Sequence, residues 1–156
     1  MGLLMPSNKI EIEILDDGVT KALSKLVNLM PKRAQAIIEA GGKMIEDRAK
    51  RNISRGTRSG KVYKATKSGK KHQASAPGEF PKTDTGQLAR NITTEPTSGE
   101  IGVTVGSRNA APHGYWLECG TTHIEPRPWL SPSAEQERDD INKLVDQTVD
   151  RLLNGL

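Results

Sequence analysis

Lys9 to Leu15 reads Lys-Ile-Glu-Ile-Glu-Ile-Leu, so Ile10, Ile12 and Ile14 fall on one face and the charges on the other. That two-residue period predicts a half-buried strand. Asp16, Asp17 and Gly18 then supply N-cap chemistry, and Val19, Leu23, Leu26 and Met30 recur at helical spacing. Pro31 disfavours helical geometry at Met30 and closes this first short helix. From Lys32 a second stripe (Ala34, Ile37, Ile38, Gly41, Met44, Ile45, Ala49) predicts a longer helix ending near Asn52. Gly41 and Gly42 each cost a helix about 1 kcal/mol relative to Ala. Either another element packs closely there or the helix bends.

Ser54 to Pro77 is rich in Gly, Ser, Thr and Lys and almost without apolar residues. Burial cannot offset the entropy of ordering such a segment, so residues 54–82 are expected as a mobile basic loop. Asp84 followed by Gln87 resembles a capping box, and Leu88 and Ile92 share a face, which predicts a short helix from Thr85 to about Asn91. Thr93 to Glu95, the turn Pro96-Thr-Ser-Gly99, and Glu100 to Ser107 with alternating Ile101, Val103 and Val105 predict a hairpin with one buried face. Asn109 to Leu130 reads as mostly irregular, with one helical turn at Tyr115 to Glu118 and a short extended piece at Arg127 to Leu130. Ser131-Pro132 starts a last helix, in which Glu135 and Glu137 sit near the positive helix end. Its apolar stripe is Ile141, Leu144, Val145, Thr148, Leu152 and Leu153, and Asn154-Gly155 is its stop.

The pattern is that of an α+β fold: a small antiparallel sheet of the N-terminal strand, the hairpin and a short later strand, packed on a long helix and a C-terminal helix. At 156 residues one domain is expected, with residues 1–8 a flexible N-terminus. A hydrophobic content of 34% implies a modest core, completed by self-association or by unstructured segments. No apolar stretch approaches the ~20 residues of a membrane span, and the start lacks a signal-peptide pattern, so a soluble cytoplasmic product is expected. The lone Cys119 excludes an intramolecular disulfide framework.

The formal charge of +4 is unevenly distributed. Arg48, Lys50, Arg51, Arg55, Arg58, Lys61, Lys64, Lys67, Lys70 and Lys71 form a run without Asp or Glu, and the rest of the chain is net acidic. Such a run suits a phosphate backbone, a mobile solvated loop, or an acidic protein partner. Only Tyr63 within it offers an aromatic face for stacking.

Cys119 and His123, with His113 nearby, have spacing compatible with zinc, but the paired arms of a structural zinc site are missing. Neither a nucleophile elbow nor a phosphate-cradling glycine loop occurs. Glu118 and Glu125 lie near two histidines without forming a specific acid/base pattern. No catalytic residue, metal ligand or cofactor site is assigned. Aromatic residues make up only 3% of the chain, yet Phe80, Tyr115, Trp116 and Trp129 all lie in two phrases, Ala76 to Ile92 and Gly114 to Leu130. Such anchors either pack over a small core or contact a partner.

Taken in order, Ser75-Ala-Pro-Gly-Glu-Phe-Pro81, Thr83-Asp-Thr-Gly-Gln-Leu-Ala-Arg-Asn-Ile92, Tyr115-Trp-Leu-Glu-Cys-Gly-Thr121 and Pro126-Arg-Pro-Trp-Leu-Ser-Pro132 resemble the signature of the head-tail joining, or tail-completion (minor tail component), proteins of long-tailed double-stranded DNA phages. Asp84, Thr85, Gly86 and Leu88 match the capped short helix of that pattern, Glu118, Gly120 and Thr121 its E-x-GT turn, and Arg127, Pro128, Trp129 and Leu130 its closing segment. Cys119 departs from it, an aromatic being more typical there. The resemblance implies a non-catalytic virion protein, assembled in the host cytoplasm into a six-fold or twelve-fold ring at the neck. Its implied neighbours are the head connector and a tail-tube or tail-terminator protein, with non-specific contact to DNA in the channel and none to membrane. Candidate contact residues are Arg55, Arg58, Lys61, Lys64, Lys67, Lys70, Lys71, Phe80, Tyr115, Trp116, Glu118, Arg127 and Trp129. The alternative from another class is a small basic nucleic-acid-binding protein that uses Arg48 to Lys71.

Overall fold

The computed structural model describes residues 15–64, 69–107 and 113–155. Apart from Leu15, the expected N-terminal strand and the expected flexible residues 1–8 lie outside the described residues.

Three helices carry most of the core. Helix α1 (Asp17–Leu29) buries Val19, Leu23 and Leu26, the stripe read from the sequence. Asp16 occupies its N-cap without a side-chain cap bond; its backbone N–H instead donates to Asn142 Oδ1 at 2.9 Å, tying the start of α1 to the last helix. At the other end the Met30 N–H closes on the Leu26 carbonyl at 2.6 Å, and Pro31 opens α2 (Pro31–Ser54) at the one position where its missing N–H costs nothing. Helix α2 spans 24 residues, about 36 Å, and runs slightly past both expected ends. The C-terminal helix, α5 (Ser131–Asn154), lies against α1 and α2 and buries Ile141, Val145 and Val149.

The two glycines of α2 are packing positions. A Cβ at Gly41 would stand 3.3 Å from Ile141 Cγ2 of α5. A Cβ at Gly42 would stand 2.7 Å from Thr94 Cγ2 and 2.9 Å from Val103 Cγ2 of the hairpin, inside any normal contact. Adjacent glycines thus admit a helix on one side of α2 and a sheet on the other.

That sheet is the antiparallel pair β3 (Ile92–Pro96) and β4 (Val103–Ser107), in register from Ile92 opposite Ser107 to Pro96 opposite Val103. Its turn is held to α2 by Gln35, whose amide nitrogen donates to the Gly102 carbonyl at 3.1 Å while its oxygen accepts the Gly102 N–H at 3.0 Å. The α2–α5 contact is polar at one end. Glu137 is buried and paired with Arg48 and, at 3.8 Å, with Arg51, while Asn52 donates to Ser133 Oγ and Gln136 Oε1, each at 2.9 Å. No acidic residue falls in the first turn of α5, so Glu137, expected from the sequence to answer the positive helix end, serves an interhelical ion pair instead.

The fold is α+β, as expected, with differences in detail. Ile101, expected on the buried face of the hairpin, lies before β4 and is 37% exposed. Residues 127–130 form no strand. Within the stretch expected as loop, β1 (Val62–Lys64) and β2 (Lys71–Gln73) pair as a second antiparallel ribbon, with Val62 opposite Gln73, Tyr63 opposite His72 and Lys64 opposite Lys71. This segment offers little apolar surface to bury, and hydrogen bonds at the ribbon's root, described below, hold it instead. Finally, Asp84 does not cap the short helix α3 (Gln87–Asn91), whose N-cap is Gly86 in the left-handed region. Asp84 instead approaches His72 Nδ1 of β2 at 3.4 Å.

Candidate functional site

The two aromatic-bearing phrases meet in space as one joint between the ribbon, the hairpin and α5. Its centre is Glu118 on helix α4 (His113–Cys119). The buried Glu118 carboxylate accepts the backbone N–H groups of Trp129 at 2.6 Å, Leu130 at 2.8 Å and Ser131 at 2.9 Å, together with the Ser131 hydroxyl. The first turn of a helix leaves four N–H groups without intrahelical acceptors and carries partial positive charge. A buried carboxylate from another helix meets both needs, so α5 has no side-chain cap of its own. Ser131, with which the sequence reading starts this helix, is its first residue, and its hydroxyl donates to Glu118.

The residues after Glu118 return the chain to this point. The Gly120 N–H closes α4 on the Trp116 carbonyl at 2.8 Å, and Gly120 takes φ +74°, where a Cβ would also lie 2.8 Å from the Ile124 carbonyl oxygen. Thr121 Oγ1 accepts the N–H groups of His123 and Ile124 at 3.1 and 3.0 Å, and the Thr121 N–H donates to the Ile124 carbonyl at 2.7 Å. The Gly-Thr pair thus makes a self-bonded turn that delivers residues 126–130 back under α4. Trp129 is buried there, its indole N–H donating to the Gly114 carbonyl at 2.8 Å. Leu88 of α3 reaches the same spot, because a Cβ at Gly114 would stand 3.4 Å from both Leu88 Cδ1 and Trp129 Cζ2.

Arg127 and Gly78 tie the first phrase to the second. Arg127 donates through Nε to the Ser75 carbonyl at 3.0 Å, and the Gly78 N–H donates to the Pro126 carbonyl at 2.9 Å. Glu79, whose role the sequence did not reveal, accepts the hydroxyls of Ser59 and Thr57 and the Ala76 N–H. Those hydroxyls, Ser59 first, hold its carboxyl below the usual range. Across the same root the Gly60 N–H donates to the Ala74 carbonyl at 2.8 Å and the Ala74 N–H to the Lys61 carbonyl at 3.0 Å, and a Cβ at Gly60 would overlap the Ser75 carbonyl oxygen at 2.2 Å. These bonds are the ribbon's foundation.

The candidate residues fall into separate groups. Glu118 and Trp129 are buried and spend their polar atoms on internal bonds. Phe80 is half-buried against the core, Arg127 is half-buried in the joint and Tyr115 is half-buried on α4. Trp116 is 37% exposed, edge-on to His113 at 5.5 Å between ring centres. Arg55 and Arg58 are exposed between α2 and the ribbon, Lys61, Lys64, Lys70 and Lys71 are exposed on the ribbon, and Lys67 lies outside the described residues. The basic run is split by the fold, since Arg48 and Arg51 pair with Glu137, and Lys50 with Glu46. Cys119 is a free, exposed thiol, and no group of three or more His, Cys, Asp or Glu among the described residues is placed to hold a metal ion. No helix among them is long and apolar enough to cross a membrane.

The joint is architectural, and it orders the phrases that carry the sequence resemblance. Residues 17–120, two thirds of the chain, match the HK97-gp10-like family, described as bacteriophage tail components. The chain belongs to the HK97-gp10-like family. The match runs from α1 through α4 and includes Glu118 and Gly120; Thr121 and the closing segment into α5 lie beyond it. No curated protein and no solved structure matches the chain. Membership in the HK97-gp10-like family makes this a phage tail component and points to a structural, non-enzymatic role among virion proteins.

Proposed function

We propose that this HK97-gp10-like protein is a ring subunit at the phage neck, completing the tail and joining it to the head connector. The observation that carries this reading is the joint around Glu118. The polar groups of its family-like phrases are consumed in backbone bonds that fix three elements relative to one another, the use expected of a rigid building block. Surface for neighbours remains beside the joint, where Trp116 and Ile124 are each 37% exposed. Among the described residues the two-stranded sheets, β1–β2 and β3–β4, also present strand edges that closure of a ring would cover. The partners are further copies of this chain in a six-fold or twelve-fold ring, the head connector, and a tail-tube or tail-terminator protein. The place of action is the neck of the virion, after assembly in the host cytoplasm.

Light scattering and negative-stain microscopy test this, on the protein alone and mixed with its phage's connector and tail-tube proteins. Closed rings in either setting support the proposal. A strict monomer in every mixture overturns it.

A further inference from the structure

The β1–β2 ribbon places two lysines, Lys64 and Lys71, directly opposite one another in an antiparallel register. Opposed residues in such a pair hold their Cβ atoms about 5 Å apart, and like charges there destabilise the pairing. Neither lysine, nor neighbouring Lys61, forms an ion pair among the described residues, although Arg48, Lys50 and Arg51 of the same basic run all find carboxylates. Lys64 and Lys71 are exposed on the same face as Val62, which is 58% exposed. On the opposite face Tyr63 is 52% exposed and His72 turns to Asp84. The root of the ribbon is fixed by Glu79, Gly60 and Ala74, so the repelling pair is carried on a braced arm.

We infer that the β1–β2 ribbon is a sequence-independent contact for duplex DNA, with Lys64 and Lys71 set against backbone phosphates. An anion between the two ammonium groups turns their repulsion into attraction, and a phosphate backbone supplies such anions in series. Shape favours DNA over an acidic protein face: a two-stranded β-ribbon fits the major groove, and beside the exposed Val62 and Tyr63 its charged groups, Lys64 and Lys71, are point charges suited to phosphates. Lys61, Arg55 and Arg58, between the ribbon and α2 along the chain, are exposed as well. This goes beyond the neck-ring reading and does not depend on a ring.

The test is fluorescence anisotropy of a labelled short duplex of random sequence, titrated with the full chain at low and rising salt. The expected result is measurable binding that weakens with salt at a log–log slope of about −2 to −4, as for two to four neutralised phosphates. The double variant Lys64→Glu/Lys71→Glu is expected to weaken binding at least about tenfold, against no more than about twofold for Lys21→Glu/Lys25→Glu, an equal charge change on exposed positions of α1. No binding at low salt, or equal losses in both double variants, overturns the inference. So does self-association of the free protein that the ribbon variant abolishes without any DNA binding, which would make an acidic protein face the partner. A second readout is internal to the ribbon. Lys71→Glu alone, without DNA, is expected to raise amide protection in residues 61–73 by turning a repelling pair into an attracting one, and a fall in protection overturns the argument from repulsion. Both measurements use free protein, so their failure leaves the ring proposal standing.

Discussion

Glu118 accepts the backbone N–H of Leu130 at 2.8 Å, so a side chain of one helix serves as the first-turn acceptor of another, 12 residues along the chain. The same carboxylate takes the N–H groups of Trp129 and Ser131. Replacing Glu118 by Ala leaves these donors buried and unanswered, and is expected to cost about 3 kcal/mol of unfolding free energy. Glu118→Gln, which keeps the shape but brings an NH2 against N–H donors and removes the charge, is expected to cost about 2 kcal/mol. Urea denaturation followed by circular dichroism measures both, and a loss under about 0.5 kcal/mol for Glu118→Ala would show that the cap contributes nothing beyond solvent.

Gly42→Ala separates helix propensity from packing. Propensity alone predicts a gain of about 1 kcal/mol. The 2.7 Å approach of a Cβ to Thr94 Cγ2 and 2.9 Å to Val103 Cγ2 predicts a net loss of about 1 to 2 kcal/mol, since the hairpin must lift from α2. At Gly41, where the nearest atom is Ile141 Cγ2 at 3.3 Å, the same substitution is expected to lie within about 1 kcal/mol of neutral. Adding Val103→Ala to Gly42→Ala should recover part of the loss, and thermal melts of the four proteins close the cycle.

Acid should weaken the α2 surface under the hairpin. Burial opposes ionisation of Glu46, but hydrogen bonds from Lys43 and then Lys50 overcome it and hold its pKa at about 2. A carboxyl whose folded pKa lies below its unfolded value stabilises the fold above the unfolded pKa. That contribution is lost as pH falls from about 4.5 toward about 2. Denaturant midpoints should therefore drop across this window by a stability on the order of 2 kcal/mol from this group, and Glu46→Gln should flatten that part of the profile while lowering stability at neutral pH.

The paired hydrogen bonds between the Gln35 side chain and the Gly102 backbone make Gln35 the clasp of the hairpin turn. Gln35→Ala is expected to cost about 1 kcal/mol and to speed amide exchange in residues 97–103 more than elsewhere. Uniform acceleration across the chain would mean that the clasp is not local.

Much of this molecule is legible from local order alone. Val19, Leu23 and Leu26 mark one buried helix face, Ile141 and Val145 another, and Pro31 a boundary between helices, because helical period and proline chemistry are properties of adjacent residues. The β3–β4 hairpin is legible for the same reason, its alternation and turn lying within a few residues of each other. The ordered phrases carry the resemblance to phage tail proteins, which the family match over residues 17–120 bears out.

What the sequence left open was pairing at a distance. It posed two outcomes for Gly41 and Gly42, and only the positions of Ile141 and Thr94 show close packing on both sides of α2. It marked Glu118 in a phrase without showing that its acceptors meet the N–H groups that begin α5, and it counted Arg48 in a basic run although Glu137, 89 positions away, takes its charge. Charge runs, glycines and lone carboxylates have several equally good local uses, and which one is realised depends on the group that the rest of the chain brings within about 3 Å. The same holds for Lys64 and Lys71, whose opposition exists only once the ribbon closes.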